Sequence, residues 1–254
     1  MTRRFLAVAV ATCATLALTA VSVHGQNVAV PTVLKESIAY YGTLSSYADT
    51  GTTRQEVPGI VDEAKFTTYF RRPTRDLYFD FQALTSTNPG NHFTIDMSAE
   101  RFVIWMFNGA MQQYDFKSRA LEQKAGQVQA LQTAAHGTTG ASILIPSLLY
   151  AQSDLPGPIR QIRDARQAGM ETINGHACHK VTGTAAQELS NGRRVNERPV
   201  TVWIDAETRL VRRVFEDTPV GLPGSTYLRL TTTLEPRANP TIEDARFRFT
   251  PPAR

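Results

Sequence analysis

The sequence predicts an α+β fold in which antiparallel, hairpin-linked strands surround a helical insertion. Three observations point there. Apolar and polar residues alternate in short runs, the period of a strand with one covered and one wet face. Asn-Gly pairs at 108–109, 174–175 and 191–192 fall between such runs and suit the positive-φ turns of tight hairpins. A helical period appears near the start and in mid-chain, without the βαβ alternation of a parallel sheet. No repeat of about 20 to 50 residues stands out. With 254 residues, 42% hydrophobic and 20% charged, the chain is an ordinary globular mixture, long enough for one large β domain or two small ones.

The elements follow in order. Val33, Leu34, Ile38, Tyr41 and Leu44 have helical spacing, with Thr32 placed to cap the helix. The stretch 46–57 is polar, Thr-rich and extended in character, and Pro58-Gly59 breaks it. The clearest strands are 65–72 and 76–84; in the second, Leu77, Phe79 and Phe81 point one way and Asp76, Tyr78 and Asp80 the other. The run 102–107 is apolar throughout, so both its faces should be covered, and Asn108-Gly109 turns it into a strand over 111–116. Phe116, Ala120, Leu121, Ala125, Val128, Leu131 and Ala135 keep a 3.6-residue period, which predicts a helix over 117–135. A second, short helix should start near Pro146. Strands near 166–173, 176–188, 195–205, 209–216, 226–235 and 247–250 complete the set.

The first 25 residues read as an export signal. Thr2-Arg3-Arg4 is a short basic start, 5–23 is uncharged and rich in Ala, Val and Leu, and cleavage before Gln26 is expected. The competing reading is a retained anchor, since the apolar stretch approaches the ~20 residues that span a bilayer, but its threonines and serine argue for a signal. The expected organisation is thus a signal over 1–25 and one domain over 26–254. Two of the basic residues behind the net charge of +4 lie in the signal, and the rest are scattered, so nucleic acid is not an expected partner. Cys178 then stands without a second cysteine, and is expected to be a buried, unligated thiol.

Catalytic signatures are sparse. There is no Gly-x-Ser-x-Gly, no His-Glu-x-x-His, no phosphate loop and no dinucleotide fingerprint. The densest cluster is His176-Ala177-Cys178-His179. On a strand His176 and Cys178 share a face and His179 faces away, so a metal would need His136 or His92 as well. Asp205 reads as the first residue of a turn. No metal and no cofactor is expected. What the sequence supplies in quantity is apolar strand surface: Phe66, Phe70, Leu77, Phe79, Phe81 and Trp105, with Met106 and Phe107 beside them. These form either a plain core or the apolar concave face of a strongly curved sheet, a surface suited to acyl chains.

Several of these segments carry a resemblance. Tyr69-Phe70-Arg71-Arg72-Pro73 followed by Leu77-Tyr78-Phe79-Asp80-Phe81 resembles the strand, Arg-Pro, strand signature of the LolA-like periplasmic lipoprotein carrier superfamily. Asn108-Gly109 with Tyr114, the helical region after it, and 245–252 are similar to that superfamily's next hairpin, lid and closing strand. The match is nearest to an uncharacterised branch with a leading helix ending near Ser46-Tyr47 and a Trp203-Ile204-Asp205 strand. The resemblance implies an unclosed β-barrel whose apolar cavity is capped by helices. It implies a periplasmic, non-catalytic, monomeric carrier or binding protein for lipid or lipoprotein acyl chains, with an envelope protein as a further partner. It also implies that Arg72 hydrogen-bonds the lid. Arg72 shares a face with Phe70, and a guanidinium there needs acceptors such as lid carbonyls; Arg71, by contrast, is expected to be dispensable for the lid. The chain departs from the carrier by insertions near 86–91 and 143–164, and by lacking the carrier's tail after Pro252. That second departure favours binding or sensing over lipoprotein transfer. The alternatives are an exported metal-dependent enzyme using His176, Cys178 and His179, or a ligand-free structural or sensing partner in the envelope.

Overall fold

The computed structural model describes residues 31–86, 101–124, 126–150, 155, 157–188, 194–219 and 227–253. The expected signal, His92, Asn191-Gly192 and most of the 86–91 insertion lie outside the described residues, as does the His136 side chain.

The chain opens with α1 (Thr32–Thr43), β1 (Ser46–Val57), β2 (Ile60–Arg71), β3 (Asp76–Ser86), β4 (Arg101–Phe107), β5 (Ala110–Asp115) and β6 (Ala120–Lys124). Three helices follow, α2 (Gln127–Gly137), α3 (Ala141–Leu144) and α4 (Pro146–Leu149). It ends with β7 (Arg163–Ile173), β8 (His176–Glu188), β9 (Arg194–Asp205), β10 (Val211–Thr218), β11 (Leu228–Leu234), β12 (Arg237–Ala238) and a 3-10 turn at Asp244–Phe247. Every strand pairing among the described residues is antiparallel, in the order β6-β5-β4-β3-β2-β1-β11-β10-β9-β8-β7, with β12 beside β1. The sheet is not closed, so β6 and β7 are its two margins. This is the unclosed half-barrel that the resemblance implied.

That order dictates the lid. The chain leaves β6 at one margin and resumes as β7 at the other, so the described residues between them, 126–150, 155 and 157–162, cross the sheet. They cross its inner face, where Leu131, Leu144, Ile145, Leu148 and Leu149 are at most 3% exposed and join one core with Phe66, Phe70, Leu77 and Phe79. Each such side chain contributes about 1.5–3 kcal/mol by leaving water.

Three expectations are corrected. The helix predicted over 117–135 is a strand and a shorter helix. The Asp115 carboxylate accepts the Lys117 N–H at 2.8 Å and the Ser118 hydroxyl at 3.0 Å, Arg119 takes a φ of 54°, and the resulting turn sends 120–124 back along β5. Leu121, part of that helical period, is 54% exposed on that margin. The strand predicted near 247–250 is instead a 3-10 turn followed by an irregular segment, because Phe247 and Phe249 anchor separately. Phe247 lies under the Arg71 guanidinium and Phe249 packs on Trp105 with ring centroids 5.1 Å apart. Thr32 is the first residue of α1 rather than its cap; Pro31 holds that place, without a side-chain cap.

Candidate ligand-binding site

The inner face is built from rows that run across the strands. One row is Tyr47, Phe70, Leu77, Met106 and Met111; the next is Asp49, Thr68, Phe79, Ile104 and Gln113; the third starts Gly51, Phe66, Phe81 and Phe102. Alternation of side chains along each strand puts these residues on one face. Their positions in β1 to β5 set them two apart, which is why Phe66, Phe70, Leu77, Phe79 and Phe81 come together as the sequence indicated. All five are buried in the same core. Gly51 leaves room for Phe66: a Cβ there would stand 2.1 Å from the ring's Cζ.

Trp105 does not join them. It pairs with Tyr78, one residue out of phase with Leu77 and Phe79, and so projects from the opposite face. There it packs with Val103, Tyr114 and Phe249. The run 102–107 is apolar on both faces, as expected, and its period therefore could not say which face Trp105 occupied.

Arg72 stands where the rows meet the lid. Its Nη2 donates to the Leu149 carbonyl at 2.5 Å, on α4, and at 3.5 Å to the Tyr41 carbonyl, on α1. Its guanidinium lies 5.1 Å from the centre of the Phe70 ring, and its Nε is buried without a partner. Burial, with Arg75 nearby, presses its pKa down from the usual arginine value. Tyr150 completes the joint: its ring meets Phe70 edge-on at 5.2 Å and its hydroxyl donates to the Arg75 carbonyl at 3.1 Å. Arg71, expected to be dispensable for the lid, is also engaged. It binds Asp76, whose side chain is fully buried, at 2.7 Å and Asp244 at 2.6 Å. Burial alone would raise the Asp76 carboxyl, but Arg71, Thr74 and the Asn108 N–H hold it below the usual carboxylate range.

Sequence reasoning missed a polar group on the same face. The Tyr47 hydroxyl donates to Asp49 Oδ2 at 2.8 Å, and the Thr68 N–H donates to Asp49 Oδ1 at 3.1 Å. Burial pushes the Asp49 carboxyl up to about 6 against the pull of those donors. The Thr68 hydroxyl leans toward the carboxylate and eases its charge, yet lies outside hydrogen-bond geometry and stays unpartnered. Above them Tyr41 stacks on Tyr47 at 5.6 Å and accepts the Val211 N–H at 3.0 Å, tying α1 to β10. The one available signal was Tyr47 and Asp49 standing two apart in a stretch otherwise polar.

The His-Cys-His cluster divides as the strand period predicted. Cys178 is buried with Ile173 and Trp203, and its thiol donates to the His176 carbonyl at 3.4 Å. Burial and Asp205 raise its pKa above the usual thiol value. His176 Nδ1 lies 3.2 Å from Asp205 and from Arg212. His179 meets Gln167 at 3.2 Å on the other face. Among the described residues no group of three or more His, Cys, Asp or Glu is arranged to hold a metal. Asp205 is the turn residue expected, accepting the N–H groups of Glu207 and Thr208 at 3.0 and 2.9 Å.

A family described as predicted periplasmic protein, DUF2092, matches residues 91–254, more than half of the chain. The chain belongs to the DUF2092 family. The family's description as predicted periplasmic and the unclosed half-barrel both agree with what the resemblance read from the sequence implied about location and fold. No curated protein matches the DUF2092 chain in sequence. Among solved structures, lipoprotein LppX of Mycobacterium tuberculosis is 15% identical with a TM-score of 0.46, covering 83% of this chain and 95% of that one. LprF of Mycobacterium bovis is 15% identical with a TM-score of 0.44, covering 83% and 93%. A putative outer membrane lipoprotein-sorting protein domain from Vibrio parahaemolyticus is 10% identical with a TM-score of 0.35, covering 84% and 94%.

Proposed function

We propose that this protein is an exported, non-catalytic carrier or binding protein that receives an acyl chain or similarly apolar ligand between the inner face of β1 to β5 and the crossing helices. Phe66, Phe70, Leu77, Phe79 and Phe81 would line the site, and Arg72 would latch it. The observation that carries the reading is the latch itself: a sheet guanidinium bonded to backbone carbonyls of two helices that lie over an aromatic sheet face. A charge-assisted bond to a carbonyl is worth about 1.5–3 kcal/mol, enough to change a lid equilibrium tenfold or more. The family description as predicted periplasmic fits the expected signal over 1–25.

The test is uptake and release of a fluorescent phospholipid from vesicles. Wild-type protein should take it up, and Arg72→Leu should release it at least about tenfold faster. Arg71→Leu is no neutral control, since it strands the buried Asp76; Arg54→Leu, on the outer side of β1 with a half-exposed side chain, is. Release unchanged by Arg72→Leu removes the latch. No uptake by any form removes the carrier reading and favours a second one, a ligand-free structural or sensing partner in the envelope. That second reading is supported by the filled inner face, whose aromatic residues are at most 7% exposed.

A further inference from the structure

We infer that the inner face carries a polar anchor, formed by Asp49, Tyr47 and Thr68, for a hydroxyl or amide group on an otherwise apolar ligand. The inference rests on the carrier reading and says which ligands that site prefers.

The geometry comes from one transverse row. Asp49, Thr68, Phe79, Ile104 and Gln113 lie side by side on five strands, polar at both ends and apolar between. Four strand spacings of ~4.8 Å make the row about 19 Å long, the scale of a lipid tail with a head group. Thr68 is 1% exposed and Gln113 9% exposed, yet Thr68 Oγ1 and Gln113 Oε1 have no hydrogen-bond partner. Buried polar atoms are paired in the great majority of cases, because an unpaired one loses its hydration for nothing. Thr68 Oγ1, beside Asp49, marks the anchor's end of the row, and Gln113 Oε1 marks the opposite end as a second place where a partner is to be supplied.

The chemistry of the partner follows from the atoms present. Each Asp49 oxygen accepts one bond, from Tyr47 or from the Thr68 N–H, and retains capacity for another. Thr68 Oγ1, beside that carboxylate, can accept or donate. The anchor therefore suits a group that donates, and the carboxylate opposes a phosphate or carboxylate head at the same spot. A bare hydrocarbon or ester leaves the anchor unpaired, and a site with unpaired polar groups discriminates strongly against such ligands.

The experiment measures displacement of N-phenyl-1-naphthylamine by two lipids with the same acyl chain, monoolein, whose glycerol carries hydroxyls, and methyl oleate, which has no donor. Wild-type protein should bind monoolein at least about tenfold more tightly. Thr68→Val and Asp49→Asn should each bring that ratio toward one. Because each variant is judged on its own ratio, a general loss of affinity does not imitate the result, and either variant decides alone if the other fails to fold. Both lipids binding wild type with a ratio near one overturns the anchor and leaves the carrier reading standing. A ratio that survives both substitutions overturns the assignment to these residues. Neither lipid displacing the dye overturns both.

Discussion

Asp49 is a carboxyl that burial makes reluctant to ionise. Its folded pKa, about 6, lies above the ordinary carboxylate value of ~3.9. A group raised in this way stabilises the fold fully below the unfolded pKa, and the contribution is lost as pH rises through the folded one. The window is therefore about pH 4 to 6.5, and the loss amounts to about 3 kcal/mol. Asp76 and Asp205 act with the opposite sign, since both are held low by arginine and by backbone or hydroxyl donors that outweigh burial. The comparison that isolates Asp49 is denaturant unfolding of wild type against Asp49→Asn from pH 4 to 7.5. The variant should gain on wild type by roughly that amount as pH rises; parallel curves would show that the carboxyl is not desolvated. Two polar residues of the inner face, Arg72 and Asp49, were legible to different degrees. Arg72 could be placed because Phe70 two residues earlier gave its face, and the cost of a guanidinium there gave its acceptors. Asp49 could not, because alternation tells which residues share a face, and a Thr-rich strand gives no sign of which face helices will cover.

At the scale of elements, strands were easier to read than their neighbours. Asn108-Gly109 and Asn174-Gly175 fixed two hairpins, and Asn108, Gly109, Asn174 and Gly175 all take positive φ. The failure was β6. Its residues fit the helical period of α2 by coincidence, and the deciding feature was an Asp115 side chain that bonds two N–H groups and a hydroxyl beyond it. Local turn chemistry beat periodicity because β6 is a margin strand with little to bury. Asp115→Ala should consequently loosen β6 by about 1 kcal/mol while leaving α2 in place. Hydrogen exchange checks this: amides of 120–124 should exchange several-fold faster and those of Ala130 and Leu131 should not change. Equal acceleration in both segments would mean that the turn holds the lid as well.

At the scale of the molecule, the sheet joins its two halves through one seam. Strands β2 to β6 grow outward from β1, strands β10 to β7 grow outward from β11, and β1 meets β11 over six paired positions from Gly51↔Leu234 to Glu56↔Arg229 and β12 over two more, Tyr47↔Ala238 and Ala48↔Arg237. Thr53 and Thr232, paired there, are at most 3% exposed, so the inner side of the seam is buried at that pair. The chain crosses between halves once more among the described residues, through the lid. Severing the backbone between Tyr150 and Leu155 thus yields two pieces, each with a complete meander, and no strand is cut. The pieces should behave as a split protein. Produced together with an affinity tag on one, they should co-purify in equal amounts and reproduce the far-ultraviolet circular dichroism of the intact chain. Recovery of the tagged piece alone would show that the eight paired positions of β1 with β11 and β12, together with the packing of Phe247 and Phe249 on Arg71 and Trp105, do not suffice, and that the crossing segment is what keeps the halves in register.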